Sequence, residues 1–334
     1  MDNVLLSIVV PVYNCEQYIK SCVKSIESET TDSYEIILVD DCSTDSSCSI
    51  CYELSRQNHN VRALQTEKNG GATLARLLGI EKSKGKYIGF IDADDYVDKM
   101  YVDELISAMD KDTDIIGFGC YLEGTNGEIK HGGVSPEEGL YDRKTIRELI
   151  FPRLISDKNG HAIPNNLWRL VYKKELAEEV MKKVDPRIII GEDEVFVKTC
   201  FSKANSVVMI GKELYFHRYN PDSLTKSRTE RSFFEAGIKY QNMTKLFMDV
   251  EYNFSEQFDR EMSLTVYNIA ALKFGKKDKS YFEIRQEIIE ALQTPVIKNA
   301  VKSANFNFGS SNYFRWLVLR LRLIYLMKLR ATKK

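Results

Sequence analysis

The segment KYIGFIDADD, residues 86–95, joins a short apolar run to three carboxylates. The run is continuous and rich in β-branched and aromatic residues, which predicts a strand buried on both faces. A buried strand that ends in Asp92, Asp94 and Asp95 must end at the protein surface. The ligand crevice of an open α/β sheet lies at the carboxyl ends of its strands, so these acids are placed to meet a ligand or a metal.

One of these acids has an alternative role as a helix cap. A helical pattern begins directly after them, at Tyr96, and Asp is a common N-cap residue. The functional hypothesis is a metal–diphosphate site, because carboxylate oxygens suit Mg²⁺ or Mn²⁺. Such ions commonly take one or two protein carboxylates while substrate phosphates occupy other positions.

Strand–helix repeats precede the acidic segment. The predicted strands are residues 5–10, 34–39 and 61–66, and a helix follows each of them after a short loop. This alternation predicts a parallel sheet with helices on both faces. The strand ends carry polar side chains, which should converge at one edge of the sheet: Tyr13, Asn14, Asp40, Asp41 and Asp92.

Composition narrows the function classes. The net charge of −1 over 334 residues gives no electrostatic footprint of a nucleic-acid-binding protein. The loop after the first strand lacks G-x-G-x-x-G, and G-x-x-x-x-G-K occurs nowhere, which argues against dinucleotide and P-loop sites. Seven cysteines, an odd number, and a start without a basic region favour a reduced, cytoplasmic protein.

The motifs in order resemble those of the family 2 inverting glycosyltransferases, which have the GT-A fold. They are IVVPVYN at 8–14, VDDCSTD at 39–45, Asn69-x-Gly71 leading to Ala75-Arg76, DADD at 92–95, GEDEVF at 191–196 and YNPDSLT at 219–225. One departure is Leu77, where the family commonly has Asn. The fold expected from the resemblance is α/β: a Rossmann-like, mostly parallel sheet with flanking helices, followed by a C-terminal helical region.

The resemblance implies a nucleotide pocket at the first two loops. Pro11, Tyr13 and Glu16 would line it, and Asp40 or Asp41 would accept a hydrogen bond from the base. An acceptor facing a ring N–H favours uracil and hence a UDP-sugar donor. The alternative for the two acids is an Asx-turn. The remaining donor-binding candidates are Asn14, Asn69, Arg76, Ala93 and Arg218.

The same resemblance assigns the acidic segment. Asp94 would bind the metal, Asp92 the ribose or the metal, and Asp95 the donor sugar. On an extended strand Asp92 and Asp94 would be roughly 6 to 7 Å apart at Cβ, too far to share one ion without a turn. Mn²⁺ or Mg²⁺ would act as a Lewis acid on the departing diphosphate. His217 is a further candidate ligand, with a surface loop as its alternative.

Inverting transfer also needs a base that removes a proton from the acceptor hydroxyl. Asp193 is the first candidate and Glu192 the second, with N-capping of the following helix as the alternative for Asp193. Trp168 is either a platform for the acceptor sugar or a core residue. A surface ion pair is the alternative for Arg76.

Helical spacing dominates after residue 230, so we expect a nucleotide-sugar-binding catalytic domain at 1–228 and a helical region at 229–334. Its last helix, 313–334, is apolar and basic, and its apolar segments are too short to span a bilayer. Contact with an anionic membrane surface is one prediction for this segment. Because the basic residues of this segment are scattered around the helix axis, the alternative prediction is self-association or a helix packed against the rest of the protein.

The sequence thus predicts a metal-dependent inverting glycosyltransferase that acts at the inner face of the cell membrane. It would move a sugar from a UDP-sugar to a hydroxyl of a glycan or lipid-linked saccharide, in surface polysaccharide synthesis. One alternative is a sugar-1-phosphate nucleotidyltransferase, whose glycine-rich, Arg-containing loop after strand one is missing here. The other is a non-catalytic nucleotide-sugar-binding subunit, against which the intact Asp92, Asp94 and Asp193 stand.

Overall fold

The computed structural model describes residues 4–28, 30–109, 112–220, 232–276 and 278–331. The described chain forms two compact units. The first, here called the sheet unit, contains residues 4–146 and 164–220. The second, the helical unit, contains residues 147–163 and 232–331. The expected domain boundary at residues 228 and 229 lies outside the described residues, as do residues 221–225 of the last motif.

Ten strands form one mixed sheet in the described part of the sheet unit. They are β1 Leu6–Val12, β2 Tyr34–Asp40, β3 Val61–Gln65, β4 Tyr87–Phe90, β5 Tyr96–Val97, β6 Ile115–Glu123, β7 Ile129–Gly133, β8 Gly139–Asp142, β9 Leu170–Lys173 and β10 Ser206–His217. The order is β3-β2-β1-β4-β9-β6-β10-β5, with β7 beside β6 and β8 beside β10. Strands β1 to β4 are parallel, as predicted, and β9 runs antiparallel to both of its neighbours.

Helices cover the sheet and bury its central strands. Every residue of β2 and β4 is buried, as the apolar runs of both strands predict, and in β2 the burial extends to Glu35 and Asp40. The helices are α1 Ile19–Ile26, α2 Ser47–Gln57, α3 Ala72–Lys82, α4 Tyr101–Met109, the short α5 Arg143–Thr145, α6 Lys174–Met181 and α7 Glu192–Lys203. Gly79 lets α3 approach β1 closely, since a Cβ there would lie 2.3 Å from Cγ1 of Val9.

The acidic segment ends in a turn. Strand β4 stops at Phe90, and the N–H of Asp95 donates to the carbonyl of Asp92 at 3.0 Å. The chain is therefore not extended from Asp92 to Asp94. With a turn present, the 6 to 7 Å separation expected for a strand no longer keeps the two carboxylates from one ion.

The helix predicted from Tyr96 begins later than expected. Residues Tyr96 and Val97 form β5, which pairs with β10, and α4 starts at Tyr101. Asp98 makes the turn before it, accepting the N–H of Met100 at 2.9 Å. Helix capping therefore does not account for the acids of residues 92–95.

The helical unit confirms the expected C-terminal helical region. Its described α-helices are α8 Phe233–Leu246, α9 Ser255–Lys276, α10 Tyr281–Ala291, α11 Pro295–Ser303, α12 Ser311–Arg320 and α13 Ile324–Ala331. The terminal helix expected over 313–334 is two helices, because the chain breaks between α12 and α13 with Arg322 at φ +55°. No helix in the described ranges is both long and apolar enough to cross a membrane.

Candidate active site

Arg76 draws together carboxylates from distant parts of the sequence. Its Nη1 donates to Oδ1 of Asp193 at 2.8 Å and lies 3.6 Å from Oε1 of Glu192. Its Nη2 donates to Oδ1 of Asp92 at 3.2 Å. The Arg76 side chain is only 5% exposed, so this is a buried ion network rather than the surface pair considered as its alternative. These four residues are called the Arg76 cluster below.

Burial sets the electrostatics of the Arg76 cluster. It raises the pKa of Asp193 to about 6, against the lowering effect of Arg76 and with a further rise from Glu192. Burial likewise raises the pKa of Asp92 to about 6. Although burial lowers the pKa of Arg76, the carboxylates of Asp193, Asp92 and Glu192 raise it overall. The guanidinium therefore stays charged while Asp92 and Asp193 exchange protons near pH 6.

Asp193 reaches this cluster from the first turn of α7. The N-cap of α7 is Gly191, at φ +91°, so N-capping does not explain Asp193. Positive φ is readily adopted by glycine, which allows the chain to turn sharply into the helix. Glu192 and Asp193 then lie at the positive end of the helix dipole, which stabilises their charged forms.

The two acids that end the acidic segment have different surroundings. Asp95 is 3% exposed, and its carboxylate accepts the Tyr215 hydroxyl at 2.6 Å and the Arg218 N–H at 2.8 Å. Burial raises the pKa of Asp95 well above its usual value. Asp94 is half-buried and accepts the Asn220 amide at 2.9 Å. Asp95 thus ties the chain after β10 to the turn, while Asp94 is the more accessible carboxylate.

Tyr215 is a site residue that the sequence analysis missed. Its hydroxyl, besides donating to Asp95, accepts the N–H of Asp92 at 3.2 Å. Its ring stacks on Trp168, with 4.2 Å between centroids, and Trp168 lies 5.5 Å from the exposed His217. Side chains alternate along a strand, so the position two before His217 was an available signal. Trp168 itself is 3% exposed and buried in this stack.

Arg218 is held by two aromatic rings. Its guanidinium lies 5.1 Å from the ring centroid of Tyr18 and 5.1 Å from that of Tyr96. Such cation–π contacts fix the side chain before any ligand arrives. Tyr18 belongs to the turn before α1, and no sequence motif singled it out.

The predicted nucleotide loops hold each other. Oδ1 of Asn14 accepts the N–H of Thr44 at 2.8 Å, and Oε2 of Glu16 accepts the N–H of Ser46 at 2.8 Å. Tyr13 is 36% exposed and Pro11 is half-buried. The polar side chains of the first loop thus fix the position of the second.

Both Asp40 and Asp41 are buried and carry structural hydrogen bonds. Asp41 accepts the N–H groups of Gly70 at 3.0 Å and Gly71 at 2.7 Å, which orders the loop bearing the exposed Asn69. Oδ2 of Asp40 accepts the N–H of its neighbour Ser43, in the manner of a local turn. Oδ1 of Asp40 is buried and lacks a hydrogen-bond partner within the described chain.

The carboxylates of the acidic turn fit a cation whose remaining ligands are substrate phosphates better than a cation that the protein alone coordinates. Among the described residues, no three His, Cys, Asp or Glu side chains converge on one metal position. A diphosphate-bound Mg²⁺ or Mn²⁺ needs only one or two protein carboxylates. Asp92 and Asp94, on either side of the buried Ala93 in one turn, can supply them, although Asp92 already pairs with Arg76.

Comparison with known sequences identifies the family. Residues 7–164 match the model of glycosyl transferase family 2. Glycosyltransferase GlyG of Streptococcus pneumoniae serotype 4 is 32% identical over 231 residues, which cover 69% of this chain and 75% of GlyG. The chain belongs to glycosyl transferase family 2. This glycosyltransferase is also 29% identical over 341 residues to the uncharacterized glycosyltransferase EpsJ of Bacillus subtilis, covering 97% of this chain and 95% of EpsJ.

Solved structures confirm the GT-A fold of this glycosyltransferase. Residues 1–349 of S. aureus TarS in complex with UDP superpose with a TM-score of 0.68 at 17% identity, covering 97% of this chain and 89% of that one. The same TarS fragment with UDP-GlcNAc gives a TM-score of 0.67 at 15% identity, covering 98% of this chain and 92% of that one. Family membership removes the grounds for the nucleotidyltransferase alternative.

Proposed function

We propose that this glycosyltransferase moves a sugar from a UDP-sugar to a hydroxyl of a saccharide or lipid-linked saccharide, with inversion at the anomeric carbon. The Arg76 cluster carries the proposal, because it places a carboxylate with a raised pKa beside the acidic turn. The UDP and UDP-GlcNAc complexes of TarS, a protein of the same fold, support a uridine nucleotide as the donor.

Asp193 is the proposed base. One of its oxygens, Oδ1, accepts the Arg76 hydrogen bond, which orients the carboxylate and leaves Oδ2 to take the acceptor proton. As the proton moves to Asp193, the acceptor oxygen forms its bond to the anomeric carbon and the bond to the diphosphate breaks. Above pH 6 Asp193 is mostly ionised, as a base must be. Glu192 is the second candidate, 3.6 Å from the same guanidinium.

Asp94 is the proposed cation ligand, with Asp92 and His217 as further ligands of Mn²⁺ or Mg²⁺. The cation would supply Lewis-acid stabilisation of the departing UDP. Arg218 is proposed to contact the diphosphate, because Tyr18 and Tyr96 already hold its guanidinium in place. Asp95 acts on the donor through its neighbours, since Tyr215 and Arg218 occupy its carboxylate.

The uracil is proposed to donate its ring N–H to Asp40 or Asp41. Asp40 offers an unpartnered buried oxygen, whereas Asp41 offers the lone pairs that remain beyond its bonds to the 70–71 loop. Replacing each by Asn and titrating UDP separates the two. The variant of the residue that contacts uracil should lose affinity for UDP, and the other variant should bind UDP as the wild type does.

A donor panel tests the reaction. Purified protein with Mn²⁺ is offered UDP-glucose, UDP-GlcNAc, UDP-galactose, GDP-mannose and CMP-sialic acid, and release of the nucleotide is followed with and without a saccharide acceptor. We expect release from a UDP-sugar and a fall of roughly 100-fold or more in Asp193→Asn, with UDP binding retained. Turnover of Asp193→Asn at the wild-type rate, or release confined to GDP or CMP donors, would refute the proposal.

A further inference from the structure

The last two helices of the helical unit expose a row of large apolar side chains. Leu321 and Tyr325 are each 56% exposed, Leu323 is 44% exposed, Leu329 is 42% exposed and Leu326 is 38% exposed. These five residues are called the C-terminal patch. Single exposed leucines are ordinary on soluble proteins, but a contiguous apolar surface marks an interaction site.

The packing of α13 explains why these residues point outward. Ile324 and Met327 of this helix are buried in the core of the helical unit. Successive residues turn by about 100° around a helix, so Tyr325, Leu326 and Leu329 fall on the opposite side. A helix on a water-exposed surface ordinarily carries polar residues on that side. Helix α13 therefore carries apolar residues on two faces. The core covers one of them, and on the other Tyr325 meets the Tyr281 ring edge-on, with 5.9 Å between centroids, and stays 56% exposed.

The break between α12 and α13 adds to the same surface. Arg320, Leu321, Arg322 and Leu323 are all exposed. Arg322 is at φ +55°, a left-handed conformation that non-glycine residues seldom adopt. The turn therefore presents two leucines and two arginines side by side. Arg320 also lies 4.9 Å from the ring centroid of the buried Trp316, which holds it near the patch.

Charge distinguishes this end of the chain from the rest. Residues 291–334 contain no Asp or Glu, and their basic residues are Lys298, Lys302, Arg315, Arg320, Arg322, Lys328, Arg330, Lys333 and Lys334. The net charge of the whole chain is only −1, so residues 1–290 carry a net charge of −10. The positive charge is thus concentrated in the segment that bears the C-terminal patch.

We infer that the C-terminal patch binds the surface of an anionic lipid bilayer. Leucine and tyrosine side chains enter the headgroup boundary while flanking arginines pair with lipid phosphates. A symmetric contact between two copies would bring the same basic groups face to face, which opposes self-association through this surface. This inference is independent of the proposed reaction, since lipid binding requires neither donor nor acceptor.

Vesicle flotation tests the inference on the full chain. The probe is a vesicle of phosphatidylcholine with phosphatidylglycerol, compared with phosphatidylcholine alone. We expect the protein to float with anionic vesicles, to stay unbound with neutral ones and to detach as salt is raised. The double variants Leu321→Ser/Leu323→Ser and Arg320→Gln/Arg322→Gln should each weaken the binding about tenfold or more.

The matched control is Phe234→Ser/Met248→Ser, which removes apolar side chains that are 76% and 78% exposed elsewhere in the helical unit. It should float as the wild type does, and a thermal melt shows that each variant remains folded. Equal binding by Leu321→Ser/Leu323→Ser, no binding by the wild type, or equal binding to neutral vesicles overturns the inference. So does a lipid-free dimer that Leu321→Ser/Leu323→Ser converts to monomer, which would assign the patch to a second copy.

Discussion

Burial raises the pKa of the proposed base Asp193 and Arg76 lowers it, and this balance predicts a pH profile. The rate should fall as the pH drops through about 6, because the folded-state pKa of Asp193 is about 6 and only its ionised form accepts a proton. Arg76 lowers that pKa, so Arg76→Gln should move the acid limb to higher pH as well as reduce the rate. Profiles of kcat/KM from pH 5 to 9 locate the acid limb in the wild type and in Arg76→Gln. An acid limb at the same pH in both would contradict the electrostatic role of Arg76.

The same pKa predicts how stability changes with pH. Asp193 binds its proton more tightly in the folded state than in the unfolded state, where its pKa is the ordinary 3.8. Its contribution to stability therefore declines as the pH rises from about 4 through about 6. The unfolding free energy of Asp193→Asn, taken relative to that of the wild type, should therefore rise by on the order of 1 kcal/mol between pH 5 and pH 8.

Urea unfolding at the two pH values measures this change. Asp142→Asn is the matched control, because hydrogen bonds to Thr145 lower the pKa of that exposed carboxyl. The Asp142 carboxyl is ionised in both the folded and the unfolded state by pH 5. The difference in unfolding free energy between Asp142→Asn and the wild type should therefore stay constant from pH 5 to pH 8. A loss of relative stability in Asp193→Asn between pH 5 and pH 8 would contradict the raised pKa.

The positions of the acids in the acidic segment could be predicted from the sequence, but their hydrogen-bond and ion-pair partners could not. The run from a buried strand into carboxylates predicted where Asp92, Asp94 and Asp95 lie, since strand ends and crevices are local features. The pairing of Arg76 with Asp193 spans 117 residues, and no local pattern encodes it. The bond from Tyr215 to Asp95 spans 120 residues and was missed for the same reason.

At the scale of elements, helix α3 must lie close to β1 for Arg76 to reach the carboxylates. A methyl group at Gly79 would meet Val9 at 2.3 Å, so Gly79→Ala should push the helix away from the strand. We expect a loss of about 1 to 3 kcal/mol in unfolding free energy together with a fall in activity. Denaturant unfolding and the donor assay measure the two effects.

Gly237→Ala is the matched control for this substitution. Gly237 lies within α8, and a Cβ there would have no atom within 4 Å. Alanine has a higher helix propensity than glycine. Gly237→Ala should therefore gain up to about 1 kcal/mol in unfolding free energy and leave the activity unchanged. If Gly79→Ala were as well tolerated as Gly237→Ala, the close approach of α3 to β1 would not be needed to place Arg76.

Elements defined by a long apolar run were predictable, and short elements defined by a distant partner were not. Strands β1 to β4 and the helices between them follow from local pattern. The two residues of β5 were predicted as the start of a helix, because they become a strand only by pairing with β10. The terminal basic and apolar segment was predicted as one helix, and its break at Arg322 has no proline or glycine to announce it.

At the level of the whole molecule, the chain combines the sheet unit with a helical unit of different charge. Residues 147–163 belong to the helical unit although the sheet unit flanks them in sequence. Local pattern shows that a segment is helical, but it does not show which unit the segment joins. The apolar residues of 313–331 likewise divide between a core face and a surface face, a division that only the packing of α12 and α13 reveals.

We propose that the acidic turn holds a cation on a uridine diphosphate, and calorimetric titration of UDP with and without Mn²⁺ measures whether it does. The wild type and Asp94→Asn are compared with Asp98→Asn, which makes the same charge change at the turn before α4. We predict that Mn²⁺ tightens UDP binding about tenfold or more in the wild type and Asp98→Asn, and that Asp94→Asn loses most of this gain. No UDP binding under either condition, or an equal gain in Asp94→Asn, would contradict the claim.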